Sequence, residues 1–194
     1  MKNFLYLLVA PALLASTAAS AAVGDPWLGF RAGATLPVGE LRDAAGPGLQ
    51  WSLLSSFTTG DNVELELDLA YHDWRSTSLD QYFLAIAGPG AQSKLRAWQA
   101  SVHIVRYAPT LGAIRPYAKG GFGATAFQAR VEFPGSRFRT EETALGFNTD
   151  LGAGFTVDVT SRLRVGIGGM YQVVGVQAEM GHVFSMGLQL MTRP

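Results

Sequence analysis

The sequence predicts an all-β fold, an eight-stranded antiparallel up-and-down barrel that crosses a membrane, and three observations carry that prediction. From Asn62 to Tyr71, the residues Val63, Leu65, Leu67, Leu69 and Tyr71 alternate with Glu64, Glu66, Asp68 and Ala70, which is the period of two of a β-strand. One face of that strand is wholly apolar and the other holds three carboxylates. Seven further stretches alternate in the same way, and the connections between them run long, short, long, short, long, short, medium. That phase is expected of an even-stranded barrel whose two termini share one rim. Finally, no run beyond the first twenty-odd positions is long and apolar enough for a membrane helix, which needs about 20 such residues. Any crossing must use strands.

The chain has 194 residues, of which 15% are charged, and its formal net charge is zero. That length suits one domain, and the balance gives no footing for nucleic acid. The first residues stand apart from the rest. Lys2 supplies a charged start, Phe4 to Leu14 an apolar core, and Ala19-Ser20-Ala21 a small-residue cleavage site, so residues 1–21 read as a secretory signal peptide cut after Ala21. Residues 22–194 then form the barrel domain. The absence of cysteine removes a disulfide framework, a lipoprotein anchor, catalytic thiols and thiolate metal sites.

The first strand runs from Trp27 to Leu36, with Leu28, Phe30, Ala32, Ala34 and Leu36 on one face and Gly29, Arg31, Gly33 and Thr35 on the other. Pro37, Gly39, Gly46, Pro47 and Gly48 mark a loop. The second strand, Leu49 to Phe57, opposes Trp51 and Leu53 to Gln50, Ser52 and Ser56, and ends in a tight turn at Thr58-Thr59-Gly60-Asp61. After the acidic third strand, Asp73 to Ser93 is a long connection. The fourth, Lys94 to Tyr107, opposes Trp98, Val102 and Ile104 to Gln99, Ser101 and His103.

Ala108 to Ala113 turns the chain. The fifth strand, Ile114 to Phe127, carries Ala118, Phe122, Ala124 and Ala126 against Arg115, Lys119, Gly121, Gly123 and Thr125, with Pro116 near its start where a proline is tolerated. Gln128 to Thr143 is again long and polar. The sixth strand, from Leu145, opposes Phe147, Leu151 and Phe155 to Asn148, Asp150 and Asp158. A turn at Thr160-Ser161 leads to the seventh, with Leu163, Val165, Ile167 and Tyr171 against Arg164, Met170 and Gln172. The eighth carries Phe184, Met186, Leu188 and Leu190 opposite Ser185, Gly187 and Gln189.

On this reading the polar faces converge inside. Glu64, Glu66, Asp68, Asp150 and Asp158 supply carboxylates, and Arg31, Arg115, Lys119 and Arg164 supply cations. An eight-stranded barrel is narrow enough to be filled by its own side chains, and an uncompensated buried ion costs several kcal/mol. The charges are therefore expected to pair as a plug. Gly29, Gly33, Gly121, Gly123, Gly152, Gly154, Gly166 and Gly168 share the inward parity and either leave room for the long side chains or permit the coiling of a small closed sheet. Trp51, Tyr71, Trp74 and Trp98 at one end, and Phe57, Tyr107, Tyr117 and Phe155 at the other, are expected as two interfacial girdles.

With these residues in view, the mature chain resembles the small bacterial outer-membrane β-barrels, the eight-stranded OmpA/OmpX-like family. The run Arg106-Tyr107-Ala108-Pro109, followed by Arg115-Pro116-Tyr117-Ala118-Lys119-Gly120-Gly121-Phe122-Gly123, is similar to that family's fourth strand, periplasmic turn and fifth strand. Leu151-Gly152-Ala153-Gly154-Phe155 looks like the matching part of its sixth. The resemblance covers residues 27–192 and implies an outer-membrane location, a monomer, contact with outer-membrane lipids and lipopolysaccharide, insertion by the outer-membrane assembly machinery, and no cofactor. The chain departs from the family in ending Leu190-Met191-Thr192-Arg193-Pro194 rather than in an aromatic residue. With no periplasmic domain following, a cell-wall tether is not expected.

Motifs for chemistry are sparse. Glu179, His182 and Ser185 lie close in sequence, but residues three apart in a strand point to opposite faces, and the His-x-Ser spacing of lipid A deacylases is missing. The only histidines, His72, His103 and His182, sit on separate elements without ligand spacing, and His103 is expected within reach of the inward carboxylates. Leu79 to Ala87 is apolar within a polar loop, and its Tyr82, Phe83, Leu84 and Ile86 are candidates for a loop contact. Arg137, Arg139, Glu141 and Glu142 read as a solvated tip or as contacts to lipopolysaccharide phosphates.

The function expected is structural or interactive, exerted through the outer loops. A small transport pore, a lipid A-modifying enzyme and a soluble ligand-carrying barrel are the rivals. The apolar row Val63, Leu65, Leu67 and Leu69 argues against the last, because outside a bilayer it would form a large exposed band. N-terminal sequencing of the protein recovered from membranes is expected to begin at Ala22; a start at Met1 would contradict the cleavage.

Overall fold

Alternation alone builds most of the architecture, because each strand offers hydrogen-bonding edges on both sides and a closed sheet is the arrangement that leaves none unpaired. The structure is a computed structural model that describes residues 26–39, 41–76, 92–132, 139–176 and 179–194. Its strands are β1 (Trp27–Val38), β2 (Ala45–Gly60), β3 (Val63–Ser76), β4 (Gln92–Tyr107), β5 (Ile114–Glu132), β6 (Arg139–Thr160), β7 (Leu163–Val176) and β8 (Glu179–Thr192), with one helical turn, α1 (Leu41–Ala44), between β1 and β2. Each strand pairs antiparallel with its neighbours in sequence order, and β8 returns to β1 from Leu28↔Thr192 to Val38↔His182. The signal peptide expected over residues 1–21, and the loop residues Tyr82, Phe83, Leu84 and Ile86, lie outside the described residues.

The connection lengths differ from expectation. Strands β5 and β6 reach 19 and 22 residues, well beyond the 9 to 11 or so that cross hydrocarbon, because residues read as loop continue the ladder as far as Glu132↔Arg139. The first long loop contracts likewise. β1 persists to Val38 and β2 begins at Ala45, with α1 filling the gap. Polar composition marks these segments as wetted rather than as unpaired. The turn read at Thr58-Thr59-Gly60-Asp61 lies further along the chain: β2 pairs through Gly60, and Asp61-Asn62 joins it to β3 with Asn62 at a φ of 63°, a left-handed conformation that Asn tolerates.

Inside and outside follow the strand parity. Leu53, Ile104, Phe122, Leu151 and Leu188 are each more than 60% exposed on the outer surface, and they belong to a continuous apolar belt far larger than a water-soluble monomer normally shows. Arg31, Glu64, Glu66, Asp68, His103, Lys119, Asp150 and Arg164 are buried inside. The molecule is a soluble fold turned inside out. Small apolar clusters close the charged interior at each end. Trp27, Leu54 and Met191 lie near the termini, while Ala45, Trp74, Ala97 and Val183, with Leu41 of α1, lie at the opposite rim.

The girdle expectation needs correction at three positions. Trp74, Tyr107 and Tyr117 are buried within the barrel, where Trp74 stacks on His72 at 4.9 Å. Their parity explains it, since Tyr107 shares the face of His103, Tyr117 that of Lys119, and Trp74 that of His72. Trp51, Tyr71, Trp98 and Phe155 do face outward.

A Leu151→Arg substitution places a cation on the hydrocarbon face near the middle of β6. It should lower unfolding stability in lipid vesicles by about 2–4 kcal/mol, measured by urea titration; an unchanged midpoint would mean that Leu151 does not meet lipid.

Candidate functional site

The nine inward charges singled out from the sequence lie in one connected region of the lumen and its lower rim. Closing the sheet through β8 and β1 brings Arg31 across from the acidic face of β3, and its Nη1 donates to Asp68 Oδ2 at 2.8 Å while Nη2 reaches Glu66 Oε1 at 3.3 Å. From β5, Lys119 Nζ donates to the same Glu66 oxygen at 2.7 Å. His103 of β4 sits between two carboxylates, with Nε2 2.9 Å from Asp150 Oδ2 and Nδ1 3.4 Å from Glu66 Oε1. Its side chain is wholly buried. Three strands thus converge on Glu66.

A second group lies nearer the termini. Arg164 Nη1 donates to Glu64 at 3.0 and 3.2 Å, its Nε donates to Asp158 Oδ1 at 2.7 Å, and Arg115 reaches the other Asp158 oxygen at 3.2 Å. Ser56 Oγ and Tyr107 Oη also donate to Glu64, at 2.6 and 3.0 Å. The guanidinium of Arg164 lies over the Trp27 ring at 4.3 Å, a cation–π contact favoured where water is scarce. Asp158 and Arg115 stand at the rim, with side chains 37% and 22% exposed. That pair is screened by solvent, unlike the pairs at Glu64 and Glu66.

Above the ions lies a neutral polar layer that sequence reading did not assemble. Asn148 Nδ2 donates to Asp150 Oδ2 and to Ser101 Oγ, both at 2.9 Å, and Gln99 donates to Ser101 at 2.9 Å and to Asp150 at 3.3 Å. Gln172 Nε2 donates to Gln99 Oε1 at 3.0 Å, and His72 Nε2 lies 3.2 Å from the same oxygen. Shared parity placed Gln99, Ser101, Asn148 and Gln172 on the inward face. It carried no sign that these four would meet, because they come from β4, β6 and β7.

Glycines leave the space this packing uses. A Cβ at Gly168 would collide with the Tyr117 hydroxyl, and one at Gly154 would stand 2.7 Å from it, with Ile167 and Gly168 backbone closer still or as close. Gly152 faces the Lys119 stem, whose Cγ would be 3.3 Å from an added Cβ. Room for inward side chains is thus a direct role of these residues.

Two chemistry candidates separate. His182 faces outward, with Nδ1 2.8 Å from Tyr171 Oη, whereas Ser185 faces inward and its Oγ donates to the Met170 carbonyl at 3.4 Å. They do not form a nucleophile–base pair. Donor atoms of Glu66, Asp68 and His103 do converge to within 4.8 Å of one another, closer than spacing suggested. Arg31 pairs with both of these carboxylates and Lys119 with Glu66.

Residues 7–188 match the family model described as the outer membrane protein beta-barrel domain. The chain belongs to this family. Its place is the outer membrane, with its apolar belt in lipid. No curated protein gives a significant match. Among solved structures, Neisserial surface protein A is 15% identical with a TM-score of 0.59, covering 87% of this chain and 97% of that one. A major outer membrane protein of Thermus thermophilus is 9% identical with a TM-score of 0.53, over 86% and 98%. Ail, the attachment invasion locus protein of Yersinia pestis, is 11% identical with a TM-score of 0.52, over 87% and 99%. At these identities the likeness is one of fold.

Lys119→Met leaves Glu66 short of its nearest cation and should lower unfolding stability in detergent by about 3 kcal/mol, the scale for breaking a buried pair. Adding Glu66→Gln should restore part of that loss, as a double-mutant cycle would show. Wild-type stability in the single variant would refute the pairing.

Proposed function

We propose that this outer-membrane protein is a closed, monomeric barrel whose role is structural or interactive through its outward loops, with a lumen plugged by paired charges. The observation that carries this reading is the filled interior. The Glu64–Arg164 pair joins opposite walls, β3 to β7, and the Glu66 pairs join β3 to the non-adjacent β1 and β5; the amide layer lies above them, and the Trp27 and Trp74 clusters lie at the two ends. Moving an ion through such a lumen would require breaking several charge-assisted hydrogen bonds at once, each worth more than a neutral one. That weighs against a small transport pore.

Residues 1–21 serve in this reading as the export signal, and the assembly machinery of the outer membrane inserts the mature chain. The separation of His182 and Ser185 onto opposite faces weighs against a lipid A-modifying activity built on them. One protein of this fold is named for attachment and invasion, an outward-facing role of the class proposed here.

Planar-bilayer recordings on the folded protein should show no steady unitary conductance, whereas reproducible unitary steps would overturn the plugged lumen and favour the pore.

A further inference from the structure

Every strand presents main-chain N–H and C=O groups to both of its sides, and near its start β6 is answered on one side only. On the β5 side its ladder is unbroken from Ile114↔Val157 to Glu132↔Arg139. On the β7 side it begins at Phe147↔Gly175, because β7 ends at Val176 and the chain has turned back into β8 by Glu179. Residues 139–146 therefore run beyond β7 with no ladder partner on that side among the described residues. They span about 23 Å at the usual 3.3 Å or so per residue. This end of the barrel lies away from the termini and from the Asp61-Asn62 turn, the end that in this family's architecture faces out of the cell.

Which groups point to the open side follows from the observed bonds. The Arg193 amide donates to the Arg162 carbonyl at 3.0 Å, so even-numbered residues of the β7 ladder bond toward β8 and odd-numbered ones toward β6. Through Phe147↔Gly175, the odd residues of β6 bond toward β7. Arg139, Glu141, Thr143 and Leu145 thus turn their main-chain N–H and C=O groups to the open edge, while Thr140, Glu142 and Ala144 bond to β5. Natural sheets usually blunt such an edge with a proline, a bulge or a very short strand. This one has none of these. Arg139-Thr140-Glu141-Glu142-Thr143-Ala144-Leu145-Gly146 holds no proline, and the β5–β6 register runs without a shift, in contrast to β2–β3 and β6–β7.

We propose, resting on the outward interactive role above, that this edge takes an extended segment of a partner polypeptide as an added antiparallel strand. Main-chain bonds supply the attachment, and the residues alongside them supply the selectivity. Glu141 and Glu142 call for basic residues at their level, since opposite charges across a ladder stabilise it and like charges do the reverse. β5 already meets that requirement on the other side, with Arg130 in register with Glu141. A second copy in the same membrane does not fit. The two-fold axis that relates antiparallel edges stands perpendicular to the sheet, here in the membrane plane, and would turn the second barrel upside down. A two-fold along the membrane normal makes strands tilted by about 35–45° cross rather than run side by side.

The test uses the refolded, isotope-labelled full chain in detergent and a synthetic peptide of the sequence Ala126–Glu132, which pairs with Arg139–Leu145 in the β5–β6 ladder. Hydrogen exchange is followed amide by amide by NMR. At millimolar peptide, exchange at Thr143 and Leu145 is expected to slow about tenfold, while Ala144, already bonded to β5, stays unchanged. Only an added strand gives that alternation. A fully N-methylated peptide of the same sequence should give no protection. Thr143→Pro removes one donor from the open side alone, where a proline is tolerated, and should weaken binding roughly five- to tenfold, the scale of one lost hydrogen bond. If that variant fails to fold, as judged by heat-dependent gel mobility, Glu141→Lys with Glu142→Lys takes its place and should weaken binding of this arginine-bearing peptide to a similar degree. Absent protection, protection without alternation, undiminished binding in the folded variant, or equal binding of the N-methylated peptide would overturn the docking edge. So would the same alternating protection rising with protein concentration in the absence of peptide, which assigns the edge to another copy. None of these results touches the closed lumen, which the conductance recordings test separately.

Discussion

The interior of a narrow barrel admits little water, and this single constraint governs the molecule. Side chains that an open sheet would hand to solvent must here satisfy one another across the lumen. Glu66 shows the consequence, since it receives Lys119 at 2.7 Å and Arg31 at 3.3 Å from strands that never adjoin its own. Each such bond ties one wall to another. The polar core therefore takes the part that hydrocarbon packing plays in soluble proteins, and the specificity of a unique charged arrangement replaces the permissive packing of methyl groups.

Glycine and aromatic placement follow from the same shortage of space. The Tyr117 ring occupies room that Gly154 and Gly168 leave, and Lys119 reaches Glu66 past Gly152. Tyr107 is drawn inside because its hydroxyl completes the shell of Glu64 and its ring receives Arg115 at 4.4 Å. Aromatic residues near strand ends are thus divided by parity, and those sharing a face with charged neighbours serve the lumen rather than the lipid boundary.

The exterior obeys a different solvent. Hydrocarbon asks only for apolar side chains, so the belt from Leu28 to Leu190 varies freely in shape. Its character changes along β4, where Trp98 is followed on the same parity by Arg96 and Lys94. The long β5–β6 ribbon carries the sheet beyond that boundary. There the conformational entropy lost by each added residue is offset by ladder hydrogen bonds and cross-strand side-chain contacts.

The number of strands, their faces and the inward set of nine charges were legible in the sequence, since alternation is a local property and parity needs no knowledge of neighbours. The sequence by itself thus determined which residues turn inward, from Arg31 on β1 to Arg164 on β7. Only the tertiary structure decided who meets whom, for the partners of Glu64, Glu66 and Asp150 arrive from distant strands whose stagger depends on how the sheet closes. Strand ends were likewise settled in three dimensions, because polar loop composition reports solvent and not whether the backbone pairs. The convergence of His103, Gln99 and Asn148 on Asp150 has the same origin, shear between strands, which no one-dimensional period records.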